Sequence, residues 1–130
     1  MNGFAILGIM MVLVVPAVGR DRLFDAIVKV ESQGNPDAVG DRGKAHGLVQ
    51  SWRPAWREGC KELGVHWNYA SGVRNPRECT RIFHAYTSLY GARTDQQRAR
   101  IWNGGPSGDH HRSTLPYWHK VRLAMKSMKR

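Results

Sequence analysis

Acidic side chains are scarce in this chain. Ten Asp and Glu stand against twenty Lys and Arg, which leaves a formal net charge of +10. An excess of that size points to an anionic partner: nucleic acid, an anionic membrane surface or the bacterial wall. The cations are spread along the chain, apart from the Lys126, Lys129 and Arg130 tail. That spread argues against a dedicated nucleic-acid stripe, and no nucleic-acid partner is expected. Cysteine is nearly absent too, with only Cys60 and Cys79. There is no CxxC and no Cys/His spacing that suits zinc, so neither a structural metal nor another cofactor is expected. His110 and His111 are adjacent, point different ways and lack a third ligand, so they are expected in solvent. No internal repeat and no low-complexity segment interrupts the chain.

What remains suits one domain. The chain has 130 residues, and removing a leader of ~20 would still leave enough for one hydrophobic core. Residues 2–19 carry no charge, and residues 4–15 are almost wholly apolar. This reads as a signal peptide or a signal anchor over 1–19, followed by one domain over 20–130. Ala17 and Gly19 put small residues where a signal peptidase reads. The missing Lys or Arg before the apolar run keeps an uncleaved, membrane-held form open. Export to the periplasm or cell envelope follows from either. In an oxidising compartment Cys60 and Cys79 can pair, closing a loop of ~20 residues for roughly 3 kcal/mol; in a reducing one they are two buried thiols.

Periodicity gives a mostly helical domain. Leu23, Phe24, Ile27 and Val28 form one apolar stripe over 22–32, and Gln33, Gly34, Asn35 and Pro36 end it. Residues 37–46 hold Gly-rich turns and suit a small β-hairpin or an irregular loop. Pro54 suits the start of a second helix, which Gly64 stops. Residues 65–74 read as loop. Asn75 and Pro76 open a helix running to Tyr90, and Thr94 to Gln97 is a capping box for a short helix ending at Trp102. Residues 103–112 read as loop. Ser113 and Thr114 cap a last helix with the stripe Trp118, Val121, Met125 and Met128. The fold class is therefore α+β, mostly α, with one small hairpin next to the first helix. Five Trp are many for so short a chain, and some can line a groove rather than fill a core.

Glu31 breaks the pattern. It falls three residues after Val28 and four after Ile27, on the core-facing stripe. A carboxylate there is costly unless paired or neutral. Desolvation raises its pKa, to about 6, and the C-terminal end of the helix dipole pushes the same way. A neutral carboxyl of that kind is what a general acid needs. Periodicity alone also allows an edge residue that reaches water.

The segments that follow decide the reading. Glu31-Ser32 leads through the hairpin to Gly47-Leu48-Val49-Gln50. Later come Trp102-Asn103-Gly104-Gly105-Pro106 and Tyr117-Trp118-His119-Lys120-Val121. This order and spacing resemble the soluble lytic transglycosylase family of the lysozyme-like superfamily, over about residues 23–121. Val49 stands where that family has Met, Trp102 where it has Tyr, and Gly104-Gly105 where it has Ala-Gly. The resemblance implies a lysozyme-like fold and cleavage of the β-1,4 bond between MurNAc and GlcNAc in peptidoglycan glycan strands. It implies Glu31 as acid and then base, with Ser32, Gln50, Trp102, Asn103, Gly104 and Tyr117 around the sugar. Tyr117 fits the cleft wall or the core equally. A transglycosylase needs no second carboxylate, whereas a hydrolytic lysozyme does. Asp41 in the turn Gly40-Asp41-Arg42-Gly43 is the candidate for that second role, although Asp also suits such turns. The transglycosylase is the expected reaction and the lysozyme its alternative. A basic nucleic-acid-binding protein and a membrane-anchored, holin-like protein are the rivals from other classes. The first accounts for neither the apolar leader nor Glu31, and the second leaves the remaining domain without a purpose. A monomer is expected.

Overall fold

The computed structural model describes residues 21–128. The proposed leader and the last two residues of the basic tail lie outside them. No helix among the described residues is long and apolar enough to cross a membrane.

The first helix, α1 (Arg22–Ser32), has the bounds that its apolar stripe predicts. Asp21 caps it by accepting the Phe24 N–H at 2.9 Å. The other Asp21 oxygen meets His84 Nε2 at 2.6 Å, which ties this cap to a later helix. The chain leaves α1 through Gln33, whose φ of 53° turns the backbone left-handed. The hairpin follows as β1 (Val39–Gly40) and β2 (Ala45–His46), antiparallel, with Val39 opposite His46 and Gly40 opposite Ala45. The tight turn Asp41–Gly43 joins them.

Helix α2 (Arg53–Leu63) has Pro54 in its first turn and ends at Gly64, as its punctuation predicts. A four-residue helix, α3 (Tyr69–Gly72), lies where the sequence suggests only loop. The side chain of Asn68 nucleates it by accepting the Ser71 N–H. Helix α4 (Pro76–Leu89) is capped by Asn75, which accepts from Arg77 and Glu78. Helix α5 (Asp95–Gly104) begins with the full Thr94–Gln97 capping box. It continues past Trp102 to include Asn103 and Gly104, and Gly105 at φ 90° is what stops it. Two 3-10 turns, Gly108–His110 and Arg112–Thr114, occupy the stretch expected as loop. Helix α6 (Leu115–Ser127) closes the domain. Thr114 precedes it without capping it, because its hydroxyl lies against the Gly108 and His111 carbonyls.

Helix α4 forms the centre. Cys79, Ile82 and Phe83 are fully buried on it. Phe83 meets Phe24 of α1 and Trp102 of α5 edge-on, with ring centroids 6.3 and 5.4 Å away. Such aromatic pairs contribute about 0.5–1.5 kcal/mol each beyond the area they bury. Helix α6 packs along α1, burying Val121 and Ala124, while Trp118, Met125 and Met128 sit at the edge of the core.

The segment 47–50 is the link between core and hairpin. Leu48 and Val49 are buried, and the Leu48 N–H donates to the Val73 carbonyl. Gly47 has φ 84°, and a Cβ there would come within 2.1 Å of that same carbonyl, so only glycine fits.

Cys60 and Cys79 are free thiols, so the bridge considered above is not formed. Each sulfur has settled against carbonyl oxygens: Cys60 against Trp67, Cys79 against Gly72 and Val73. Burial first, and Glu78 second, push the Cys79 thiol up to about 12.

Candidate functional site

Three parts of the chain, together with Tyr86 of α4, line a cleft of about 640 Å³. The end of α1 supplies Val30 and Glu31. The hairpin and the start of α2 supply Gly40, Asp41, Gln50 and Trp52. The end of α5 and the face of α6 supply Trp102, Asn103, Gly104, Tyr117 and Lys120.

Glu31 lies on the cleft wall and is mostly removed from water. Its Oε2 accepts the Tyr117 hydroxyl at 2.8 Å. Burial raises its pKa from the ordinary 4.5 to about 7. The Tyr117 hydrogen bond and the Lys120 charge oppose that rise, and the Asp41 charge adds to it. Desolvation wins because one hydrogen bond replaces only part of the lost hydration. A carboxyl poised at that value can deliver a proton near neutrality and take one back. Burial, with the Glu31 charge and hydrogen bond behind it, holds the Tyr117 hydroxyl well above its usual range, so it stays protonated and donates.

Asp41 faces the same cleft from the hairpin, in water. Its Oδ2 accepts the Trp52 indole N–H at 3.0 Å, which fixes its direction. Asp41, Arg42 and Gln50 all have positive φ, between 49° and 57°. Left-handed backbone at residues other than glycine is uncommon and gathers at functional sites.

The remaining predicted residues divide. Gln50 lines the cleft, but its amide nitrogen donates to the Ala38 and Gly47 carbonyls, so this group braces the hairpin. Its Oε1 lies where a Cβ on Gly40 would be, 2.4 Å from it, which explains the glycine beside Asp41. Ser32 does not line the cleft. Its hydroxyl sits 2.7 Å from the Leu48 carbonyl and holds the end of α1 to the segment 47–50. Trp102 turns one edge to the cleft and donates its indole N–H to the Val49 carbonyl. Its ring also packs on Phe83 and Tyr86, so it serves core and cleft at once. Asn103 is exposed at the rim beside Gly104.

Sequence reasoning missed Trp52 and Lys120 as cleft residues. Trp52 stands 42% exposed just before α2, and apart from the high Trp count nothing in the sequence marks it as a cleft residue. Lys120 falls one turn after Tyr117, and only the packing of α6 on α1 brings it near Glu31. His110 and His111 are exposed, as expected.

No family model matches the chain, and no curated protein does. Solved structures do. Tapes japonica lysozyme aligns with a TM-score of 0.70 at 23% identity, over 85% of this chain and 95% of that one. A chain from the complex of Aeromonas hydrophila PliI with Meretrix lusoria lysozyme aligns with a TM-score of 0.69 at 22% identity, over 80% and 88%. At these identities the likeness is one of fold, and the fold is lysozyme-like: mostly helical, with one small antiparallel sheet.

Proposed function

We propose that the chain cleaves the β-1,4 glycosidic bond between MurNAc and GlcNAc in peptidoglycan, with Glu31 as general acid. One observation carries this reading: a carboxyl raised to about 7 on the wall of an open cleft, held by a phenol. The order Glu31-Ser32, Gly47 to Gln50 and Trp102 to Gly105 supports it, because these segments converge on that cleft or brace it. The shared fold of Tapes japonica lysozyme, and of a chain from the PliI–Meretrix lusoria lysozyme complex, supports it as well.

With Oε2 accepting from Tyr117, Oε1 is the oxygen that carries the proton. That proton goes to the glycosidic oxygen as the bond to the anomeric carbon breaks. The sugar develops oxocarbenium character, and Glu31, now ionised, takes a proton from the incoming hydroxyl. In a transglycosylase that hydroxyl is the sugar's own, and a 1,6-anhydro end results. In a lysozyme it is water.

Asp41 favours the second course. It is a carboxylate in the same cleft, close enough for its charge to act on Glu31, and aimed by Trp52. Placed there it faces the positive charge developing on the sugar. This reverses the preference drawn from motif order alone. The weight of the disaccharide-peptides released from purified peptidoglycan decides between the two. Hydrolysis leaves reducing ends, and transglycosylation leaves products lighter by one water. No release at all would sink the glycan-cleaving reading.

A further inference from the structure

A second groove, of about 430 Å³, runs along the other side of α2. Trp52, Pro54 and Ala55 face the cleft, whereas Arg53, Trp56 and Arg57 face this groove. The start of α2 is thus a wall shared by both. Arg53, Arg57 and Lys61 also line the groove. Their four-residue spacing places them in one row, each step about 6 Å along the axis. All three are exposed, and no carboxylate is among the lining residues. Glu58 and Glu62 lie off the row, and Glu58 accepts the Tyr90 hydroxyl.

The aromatic floor determines what the row can bind. The Arg53 guanidinium lies 4.4 Å from the centre of the Tyr69 ring, and that of Arg81 lies 5.5 Å from the Trp67 ring. Trp56 is 3% exposed, with its indole N–H donated to the Trp67 carbonyl. The rings therefore prop cations and offer few open faces. A single-stranded nucleic acid needs open faces on which bases stack. A chain of phosphates without bases needs only the spaced cations.

We infer that this groove is a second binding site, taking the phosphodiester backbone of a polyol-phosphate chain carried by the same wall whose glycan enters the cleft. The choice of a wall-borne chain rests on the glycan-cleaving reading; the choice of a base-free polyphosphodiester rests on the groove alone. Binding there would hold the enzyme on its substrate, with the glycan a helix width away.

The test uses the full chain and its Arg57→Gln/Lys61→Gln double variant, both residues being exposed and outside the cleft. Fluorescent poly(glycerol phosphate) is titrated with each protein across a salt series. The wild type is expected to bind, and the variant about tenfold or more weaker, with the slope of log affinity against log salt reduced by about 1–2. Both should cleave phosphate-free peptidoglycan equally, while only the wild type should gain rate on walls that carry the polymer. Equal binding by the two proteins would overturn the inference. So would tighter binding of an oligothymidylate with the same number of phosphates. Polymer binding without wall cleavage would fail the cleft reading and leave the groove standing.

Discussion

The Tyr117 hydroxyl and Glu31 Oε2 meet at 2.8 Å although 86 positions separate them in the chain. Helix α6 exists in the site through this bond and through the Lys120 charge one turn later. The bond engages one oxygen of Glu31 and leaves the other outside it, so it acts on the direction of the carboxyl as well as on its pKa.

Tyr117→Phe should therefore separate the two effects. A hydrogen bond to the ionised form favours that form, so its loss raises the Glu31 pKa further, by up to about one unit. The alkaline limb of the kcat/KM profile should move up, while the maximal rate falls about tenfold as the carboxyl loses its fixed direction. An unmoved limb would show that the bond does not form in solution.

The charges around Glu31 should move that limb in opposite directions. Asp41 raises the Glu31 pKa and Lys120 lowers it. Asp41→Asn should shift the limb towards lower pH, and Lys120→Ala towards higher pH. If water is the nucleophile, Asp41→Asn should also cost at least about 100-fold in kcat, a loss of some 3 kcal/mol or more in transition-state stabilisation. An Asp41→Asn enzyme of near wild-type rate that makes 1,6-anhydro products would restore the transglycosylase reading.

Stability should follow the same proton. Glu31 titrates at about 7 in the folded chain and near 4.5 when unfolded. Between those values the folded chain keeps a proton that the unfolded chain has released, so stability falls as pH rises through the window. Glu31→Gln removes the charge that burial penalises. It should stabilise the fold by about 1–3 kcal/mol above pH 7, and change it little below pH 4.5. Urea unfolding at pH 4 and pH 8 measures the difference.

The thiols give an independent check on the fold. Cys60 and Cys79 are both buried, and Cys79 is pushed up to about 12. A thiol-reactive chromophore should leave the native protein nearly unlabelled and find two thiols after denaturation. Two cysteines that stay unreactive in denaturant without a reductant would mean that they are bonded.

Local signals read well from the sequence because they depend on neighbours. The stripe of α1, the Asn75 cap and the Thr94 capping box each involve residues within a turn or two, and each lies where its pattern puts it. Glu31 stood out for the same reason, as a carboxyl on an apolar stripe. The end of α5 departs from its pattern because Gly104 continues the helix. Its missing side chain makes room for Thr114, whose Cγ2 would lie 2.6 Å from a Cβ there. Helix α3 is only one turn long and has no periodicity to detect. The roles of Ser32 and Gln50 as braces depend on the carbonyls of Leu48, Ala38 and Gly47, which only the folded chain brings near. Trp52 and Lys120 join the cleft for the same tertiary reason. Fold class was thus legible, and so was the placing of Glu31, Asp41 and Gln50 around one cleft, whereas the share of Trp52 and Lys120 in it was not.

The most direct measurement is the release of soluble fragments from purified peptidoglycan at pH 6 by the wild type and by Glu31→Gln, with circular dichroism as a check that both are folded. The account predicts steady release by the wild type and none above background from a folded Glu31→Gln protein. Release by that variant at the wild-type rate would contradict it, because an amide at position 31 has no acidic proton to give.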